Sequence, residues 1–343
     1  MTQLLAWVAI AMTTAFVALV AWIVIGRFLA DRMRKRELFL RPTIEAAIAE
    51  YLAAEDPEPV RLPATKATYD LLRMVALETM AELSGRERDR LVALLERLGI
   101  VAATAAGLGS RRRRVRRFAA EALRQIASEE TVRSLTVGLG DRDLDTSLTC
   151  AAALAELSDE TCAPAILALA DGAAVDRPGA VAAILITLGR SHPATIGAAL
   201  APDRSLELRR LAAAVAGELR LAEHVGPLRE ALRSGDDELV ARAARGLGAI
   251  GDVEEVEQLL GLAEAENRSW FVRIAATDAL GAIGDPRAVE PLERELHSEG
   301  WLLQAKAAKA LRMLGAKGEQ ALRRALTSPT TTVQDHARVA LER

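Results

Sequence analysis

Aromatic residues and cysteines are scarce in this sequence. Four tryptophans, two tyrosines and five phenylalanines make up 3% of the 343 residues, whereas hydrophobic residues of all kinds make up 51%. Sheet-rich proteins draw on aromatic and β-branched residues for their strands. A core made mostly of alanine, leucine, valine and isoleucine instead favours closely packed helices. The two cysteines, Cys150 and Cys162, are too few for a disulfide framework, so we expect a reducing compartment.

Residues that carry catalytic chemistry are also sparse. The four histidines, His192, His224, His297 and His336, lie far apart, and none has a ligand partner at helical spacing. No glycine-rich phosphate loop follows a strand, and no Ser-His-Asp or Cys-His grouping stands out. We therefore predict no catalytic, cofactor-binding or metal-binding residue and no enzyme activity.

The strongest pattern is an internal repeat. An apolar residue recurs every 31 residues, with one step of 33; these register residues are Ile126, Leu157, Leu188, Leu219, Ile250, Ile283 and Leu314. Apolar or small residues stand three, four and seven positions before each of them, which places them on one face of an α-helix. A fixed period of this length is typical of stacked helical hairpins. The predicted fold class is all-α.

Two turns show how each hairpin is closed. In Gly251-Asp252 and Gly284-Asp285-Pro286, glycine suits the left-handed end of the first helix and aspartate caps the second helix. Proline fits the first turn of the second helix, where no backbone N–H is needed.

The sequence divides into four segments. The repeat array covers residues 112–343 and ends in a half-repeat, while residues 64–111 predict an atypical N-terminal helical hairpin whose second helix covers 87–106. Residues 27–63 combine a basic juxtamembrane stretch, a short helix beginning near Pro42 and a proline-rich linker.

Residues 1–26 predict an N-terminal transmembrane helix. Leu4 to Gly26 is a run of 23 uncharged residues, which at ~1.5 Å per residue spans roughly 34 Å, enough for a hydrocarbon core. Trp7 and Trp22 lie near its ends, where indoles favour the membrane interface. A cleaved signal peptide would have a basic segment before a shorter apolar run. We expect instead an uncleaved anchor that contacts the lipid bilayer through residues 4–26.

Basic residues follow the apolar run and none precedes it. They are Arg27, Arg32, Arg34, Lys35, Arg36 and Arg41, and they give residues 27–41 a net charge of +4, against −7 for residues 42–343. The positive-inside rule then places the N-terminus outside and the repeats in the cytoplasm, at the inner (plasma) membrane. The basic stretch serves either topology alone or contact with anionic lipid.

The repeats resemble a known family. The stretches Val115–Leu123 (VRRFAAEAL) and Ala279–Val289 (ALGAIGDPRAV), with their counterparts, are similar to HEAT-like repeats in the short form also found in phycobilisome lyases. The resemblance implies a right-handed α-solenoid of about seven to eight hairpins whose second helices line a concave surface that holds other proteins. Hydroxylases of this fold bind two irons through His-Glu pairs, and this chain has none.

An arginine cluster is the first candidate binding site. Its members are Arg111, Arg112, Arg113, Arg114, Arg116 and Arg117. The helical pattern predicts that Val115 and Phe118 are buried and most of the arginines exposed. The cluster is either a solvated face or a contact for an acidic protein or phospholipid headgroups. Nucleic acid is not expected, because the body is acidic and aromatic residues are not interleaved.

Trp270 and Trp301 are the second candidate. Both stand 13 residues before their register residues, so they occupy equivalent sites in adjacent repeats. They either fill gaps between repeats or form an exposed ledge for a partner. The glutamates in the same region would suit a basic partner segment; they are Glu254, Glu255, Glu257, Glu264 and Glu266.

Together these features predict a single-pass, membrane-anchored cytoplasmic scaffold. It would bind a membrane-associated partner protein within a larger bacterial assembly, and the anchor would raise the local concentration of the pair. The alternative is an enzyme or a chromophore-lyase-like protein with a pocket on the concave face. A deep polar pocket would favour the alternative, and a long open groove would favour the scaffold.

Overall fold

The computed structural model describes residues 38–54, 65–158 and 160–342. The predicted membrane anchor and most of the basic juxtamembrane stretch, including Trp7, Trp22, Arg27, Arg32, Arg34, Lys35 and Arg36, lie outside these ranges. Within them, no single helix combines the length and hydropathy needed to cross a membrane. The helical segments Gly85–Arg97 and Ile100–Gly109 reach the required length and hydropathy only when they are taken together, and the chain bends by 70° between them.

Regular structure in the described ranges is entirely helical. The helices are α1 (38–53), α2 (Lys66–Glu82), α3 (Gly85–Arg97), α4 (Ile100–Ala106), α5 (Arg113–Leu123), α6 (Glu129–Gly138), α7 (Leu144–Leu157), α8 (Ala163–Ala173), α9 (Pro178–Ser191), α10 (Ala194–Leu200), α11 (Leu206–Glu218), α12 (Val225–Leu232), α13 (Asp237–Ile250), α14 (Val256–Glu264), α15 (Trp270–Ile283), α16 (Val289–Leu296), α17 (Trp301–Met313), α18 (Ala316–Ala325) and α19 (Thr331–Glu342). Single 3₁₀ turns lead into α8, α12 and α16.

The chain forms two compact units. Among the described residues, the N-terminal unit comprises those up to Gly107 with Gln125–Thr131, and the repeat unit comprises Leu108–Arg124 with those from Val132 onward. In the N-terminal unit, the helix predicted for residues 87–106 is broken, because Gly99 adopts a left-handed conformation (φ 66°) that ends α3 and turns the chain into α4. Pro42 lies inside the helical segment 38–53, not at its start.

The repeat unit stacks hairpins in the predicted register. We call α5, α7, α9, α11, α13, α15 and α17 the first helices, and the helix that follows each of them a second helix; α19 stands alone at the end. The residues three and seven positions before each register residue are buried in every repeat, which confirms the predicted buried face; they are Leu123, Leu154, Leu185, Ala216, Leu247, Leu280 and Leu311, and Ala119, Cys150, Val181, Ala212, Ala243, Ala276 and Ala307.

Ile126 and Leu188 are fully buried, but the other five register residues are less buried than their spacing suggests. Leu157, Leu219, Ile250, Ile283 and Leu314 are only half-buried. They stand at or just beyond the C-terminal end of a first helix, where the helix face leaves the core.

The predicted turns are confirmed. Gly251 and Gly284 end α13 and α15 in the left-handed conformation, with φ of 87° and 79°. The Asp285 carboxylate accepts a hydrogen bond from the backbone N–H of Arg287 at 2.8 Å. Pro286 opens the 3₁₀ turn that leads into α16.

Small residues let adjacent first helices approach closely. A Cβ built on Gly217 would lie 2.6 Å from the Cα of Gly246, and one built on Gly248 would lie 2.6 Å from the Cα of Ala279. Because these contacts are to backbone atoms, no side-chain movement would relieve them. Glycine at these positions therefore sets the spacing between repeats.

Candidate interaction surfaces

An open groove of about 680 Å³ crosses the first helices α11, α13 and α15. Its lining residues are Ala214, Gly217, Glu218, Glu238, Ala241, Arg242, Arg245, Gly246, Ala249, Trp270 and Phe271. Five of these eleven residues are alanine or glycine, so part of the floor has no long side chain to obstruct a ligand. The groove is formed by first helices, whereas the family resemblance implied that second helices would line the binding surface.

Trp270 and Trp301 are exposed and do not fill gaps between repeats. They are the first residues of α15 and α17, and their exposed fractions are 65% and 70%. Trp270 packs edge-to-face on Phe271, with ring centroids 6.0 Å apart at 89°. This contact orients the indole at the edge of the groove. Trp301 occupies the same position one repeat further on and is not among the lining residues.

Charged side chains in the groove are partly compensated. Arg242 donates to Glu238 one helical turn away, at 2.5 Å. Arg245 and Glu218 are exposed, and neither forms an ion pair within the described part of the chain. The groove thus offers one cation and one carboxylate beside an apolar floor.

The structure corrects the predicted orientation of α5. Arg116, expected on the exposed side, is only 4% exposed, whereas Val115 and Phe118, expected in the core, are 40% and 54% exposed. Arg116 donates from Nε and Nη2 to the two carboxylate oxygens of Asp141, at 2.7 and 2.9 Å. It also donates from Nη1 to the Ser110 carbonyl at 3.0 Å. Because this guanidinium is engaged with Asp141 in the turn before α7, it is withdrawn from partner binding.

The ion pair with Arg116 lowers the pKa of the Asp141 carboxylate. Burial raises the pKa of Asp141, but hydrogen bonds from the Arg116 guanidinium and from the backbone N–H of Asp143 outweigh this effect. The pKa of Asp141 therefore lies below its ordinary value, and the carboxylate stays ionised at neutral pH.

The other five arginines of the cluster are exposed. Arg113 and Arg117 lie 3.5 Å from Asp143 and 3.8 Å from Asp145, both long for an ion pair. The side chains of Arg111, Arg112 and Arg114 form no ion pair with any described residue. The first turn of α5 contains no acidic residue, and no side chain caps its N-terminus. Cations at this end oppose the helix macrodipole, so the cluster works against helix stability.

The glutamates expected to attract a basic segment are mostly engaged within the protein. Glu254 and Glu255 contact Arg229 at 2.7 and 3.5 Å, and Glu257 contacts Arg287 at 3.0 Å. Glu264 accepts a hydrogen bond from Arg294. These pairs join second helices or the turns beside them, and none of these glutamates lines the groove.

The described residues contain no group of three or more His, Cys, Asp or Glu side chains that could hold a metal ion. His224 is buried, with Nε2 2.5 Å from the Pro193 carbonyl oxygen. Burial raises the pKa of the Cys150 thiol to about 12, with a further contribution from the Asp141 carboxylate, so this cysteine is an unreactive thiol in the core.

Phe271, Arg245 and Glu218 also line the groove, although the sequence did not single them out as candidate binding residues. Arg245 stands five positions before its register residue, where Ala214 stands in the preceding repeat, and both are exposed. The repeat position shared by Arg245 and Ala214 was the one indication in the sequence that Arg245 belongs to a common surface. The sequence did not show that this surface is a groove.

Comparison with known proteins agrees with the fold. Residues 193–271 and 263–342 each match the family model of HEAT repeats. Together the two matches cover residues 193–342, which is less than half of the chain. No curated protein matches the chain significantly.

Solved structures with the same arrangement of helices share little sequence with this chain. The karyopherin Kap121p bound to RanGTP matches with a TM-score of 0.54 at 15% identity, over 86% of this chain and 40% of that one. Kap121p bound to Ste12p matches with a TM-score of 0.52 at 15% identity, over 81% and 37%. An engineered protein covers 87% and 88% at 21% identity, with a TM-score of 0.42. The chain thus spans about two fifths of the Kap121p chains, and the likeness extends to the helical solenoid fold alone.

Proposed function

We propose that this protein is a non-catalytic HEAT-repeat scaffold that binds a partner protein along the groove of α11, α13 and α15. The observation that carries the proposal is the exposed Trp270 indole, held by Phe271 at the edge of an apolar groove. Tryptophan is enriched among the residues that dominate binding energies at protein interfaces. Kap121p, which has a similar fold, is bound to Ste12p in one solved structure and to RanGTP in another.

The proposed scaffold is anchored in the inner membrane by residues 4–26, with its repeats in the cytoplasm. Support for the anchor comes from the uncharged run and the basic residues that follow it. An anchored scaffold meets a membrane-associated partner at a raised local concentration. We therefore propose that the partner is itself part of a membrane assembly.

The open, mainly apolar groove supports a scaffold more than the alternative enzyme or chromophore lyase. An enzyme site would enclose its substrate and place several polar groups around the reacting atoms. Here the polar lining is two arginines and two glutamates, of which Arg242 and Glu238 are engaged with each other.

Affinity purification from detergent-solubilised native membranes tests this proposal. The wild-type chain is compared with W270A/W301A and with a control, V137A/V253A, which removes exposed side chains outside the groove. At about 2 kcal/mol for a tryptophan that dominates an interface, loss of the Trp270 indole alone should weaken binding roughly 30-fold. We expect the double tryptophan variant to lose the partner and the control to retain it. Equal recovery with both variants, or a bound small molecule with no protein, would contradict the proposal.

A further inference from the structure

The exposed side of α5 combines arginines with apolar side chains. Successive residues are turned by 100° around the helix, so Arg114 and Phe118 lie side by side one turn apart, with Arg117 and Val115 on either side. All four are exposed. The turn before α5 adds Arg111 and Arg112, which are also exposed. We call these six residues, together with Arg113, the α5 face.

This face is firmly positioned. The Arg116 side chain ties the start of α5 to Asp141 in the next repeat and to the carbonyl of Ser110 in the preceding turn. Arg142 also donates to the Arg111 carbonyl at 3.2 Å. The exposed arginines thus project from an ordered turn and helix, although their charges oppose the helix dipole and repel one another. A charge arrangement that costs stability is expected where a ligand of opposite charge compensates it.

We propose that the α5 face binds the anionic headgroups of a phospholipid bilayer. Arginine donors match phosphate oxygens, and exposed aromatic and aliphatic side chains among basic residues are typical of surfaces that enter the membrane interface. Residues 42–343 carry a net charge of −7, so an anionic membrane repels most of the chain and attracts this cluster. The predicted anchor and the basic residues 27–41 supply the nearby bilayer, and in this respect the inference rests on the proposed function.

The test uses the full chain in nanodiscs made of phosphatidylcholine alone or mixed with phosphatidylglycerol. Arginine accessibility is read from phenylglyoxal modification, mapped by peptide mass spectrometry. We expect the arginines of the α5 face to be protected in the phosphatidylglycerol discs and reactive in the neutral discs. Added salt should remove the protection, because it screens the attraction. The exposed Arg190 and Arg233 should react equally in both.

The variant R111Q/R112Q/R114Q tests whether the arginines act together. Protection of the remaining Arg113 and Arg117 should fall by roughly fivefold for each arginine removed. The control R97Q/R190Q/R233Q removes the same charge elsewhere and should leave the protection intact. Protection that is equal in neutral and anionic discs, or unchanged in the variant, would overturn the proposal in favour of a solvated face or an acidic protein partner.

If the proposed membrane anchor is wrong, the nanodisc experiment gives a result that differs from failure of lipid binding by the α5 face. A chain that does not enter neutral discs would contradict the proposed membrane anchor, and vesicle flotation then tests the α5 face separately. Binding to phosphatidylglycerol vesicles that is lost in R111Q/R112Q/R114Q would still support it, and no such binding would refute it. Because neither preparation contains a protein partner, both results are independent of the Trp270 groove.

Discussion

Arg116 stands among five exposed arginines in the sequence, yet its guanidinium is buried in an ion pair with Asp141. Arg116 differs from the other five arginines because it pairs with a carboxylate 25 residues away, and the helical pattern around Arg116 does not reveal this partner. Two parallel hydrogen bonds and a further one to a carbonyl compensate the loss of water around the charge. At the residue scale, one side chain of the cluster is structural and the others are available to a ligand.

The Asp141 carboxylate leads to a pH prediction. D141N leaves the Arg116 charge uncompensated and should lower the free energy of unfolding at neutral pH by about 3 kcal/mol. Because the folded pKa of Asp141 lies below its ordinary value of 3.8, the wild type holds this contribution above that value and loses it as the pH falls through the folded pKa. Urea denaturation followed by circular dichroism at several pH values measures both effects.

The difference in the free energy of unfolding between the wild type and D141N should therefore become smaller as the pH falls into the acid range. R114Q is the matched control: it removes an exposed arginine from the first turn of the same helix and should leave the urea midpoint unchanged or slightly raised, because a cation there opposes the helix dipole. A gap that does not depend on pH would show that the ion pair is not the cause.

At the scale of the element, glycines set how closely neighbouring first helices pack. Gly248 lies against the backbone of α15, whereas Gly261 lies in the exposed part of α14, where a Cβ would have no atom within 4 Å. The same residue type therefore has opposite roles in two adjacent helices. At Gly248 it permits a close approach, and at Gly261 it only costs helix propensity.

Alanine substitutions should separate these roles. G248A places a Cβ 2.6 Å from the Cα of Ala279, which forces α13 and α15 apart and should cost about 1–3 kcal/mol of unfolding free energy. G261A meets nothing and should gain up to about 1 kcal/mol from helix propensity. Thermal and urea unfolding of both variants gives the signs, and stabilisation by both changes would refute the close-packing account.

At the scale of the whole molecule, the repeat unit gains its stability from neighbouring hairpins. Each hairpin buries its apolar face against the next, as the fully buried Leu247, Leu280 and Leu311 of three successive repeats show. Damage to one hairpin should then spread to its neighbours and fade with distance along the array.

L280A tests this locality. The buried truncation should cost about 2–5 kcal/mol, and hydrogen exchange measured by mass spectrometry should show faster exchange in α13, α15 and α17 with little change in α7. V175A changes an exposed side chain and should alter exchange nowhere. A uniform loss of protection across the repeat unit would mean that it unfolds as a single cooperative body.

The sequence alone determined the helical fold class, the repeat period and the buried positions three and seven residues before each register residue. These depend on spacing within one helix and on local turn chemistry, as the glycine caps at 251 and 284 illustrate. The prediction of a membrane anchor rests on the same kind of local pattern, in residues outside the described ranges.

Only the tertiary structure decided which side chains of a helix meet another repeat. It turned Arg116 inward and left Phe118 exposed, placed Trp270 on Phe271 at the edge of a groove, and put that groove on the first helices. The position of Arg116 depends on a carboxylate 25 residues away, and the groove brings together first helices from three successive repeats. The period brings such residues together, but the distance between helices is set by contacts such as Gly217 on Gly246, and the direction of a charged side chain by the partner it finds there.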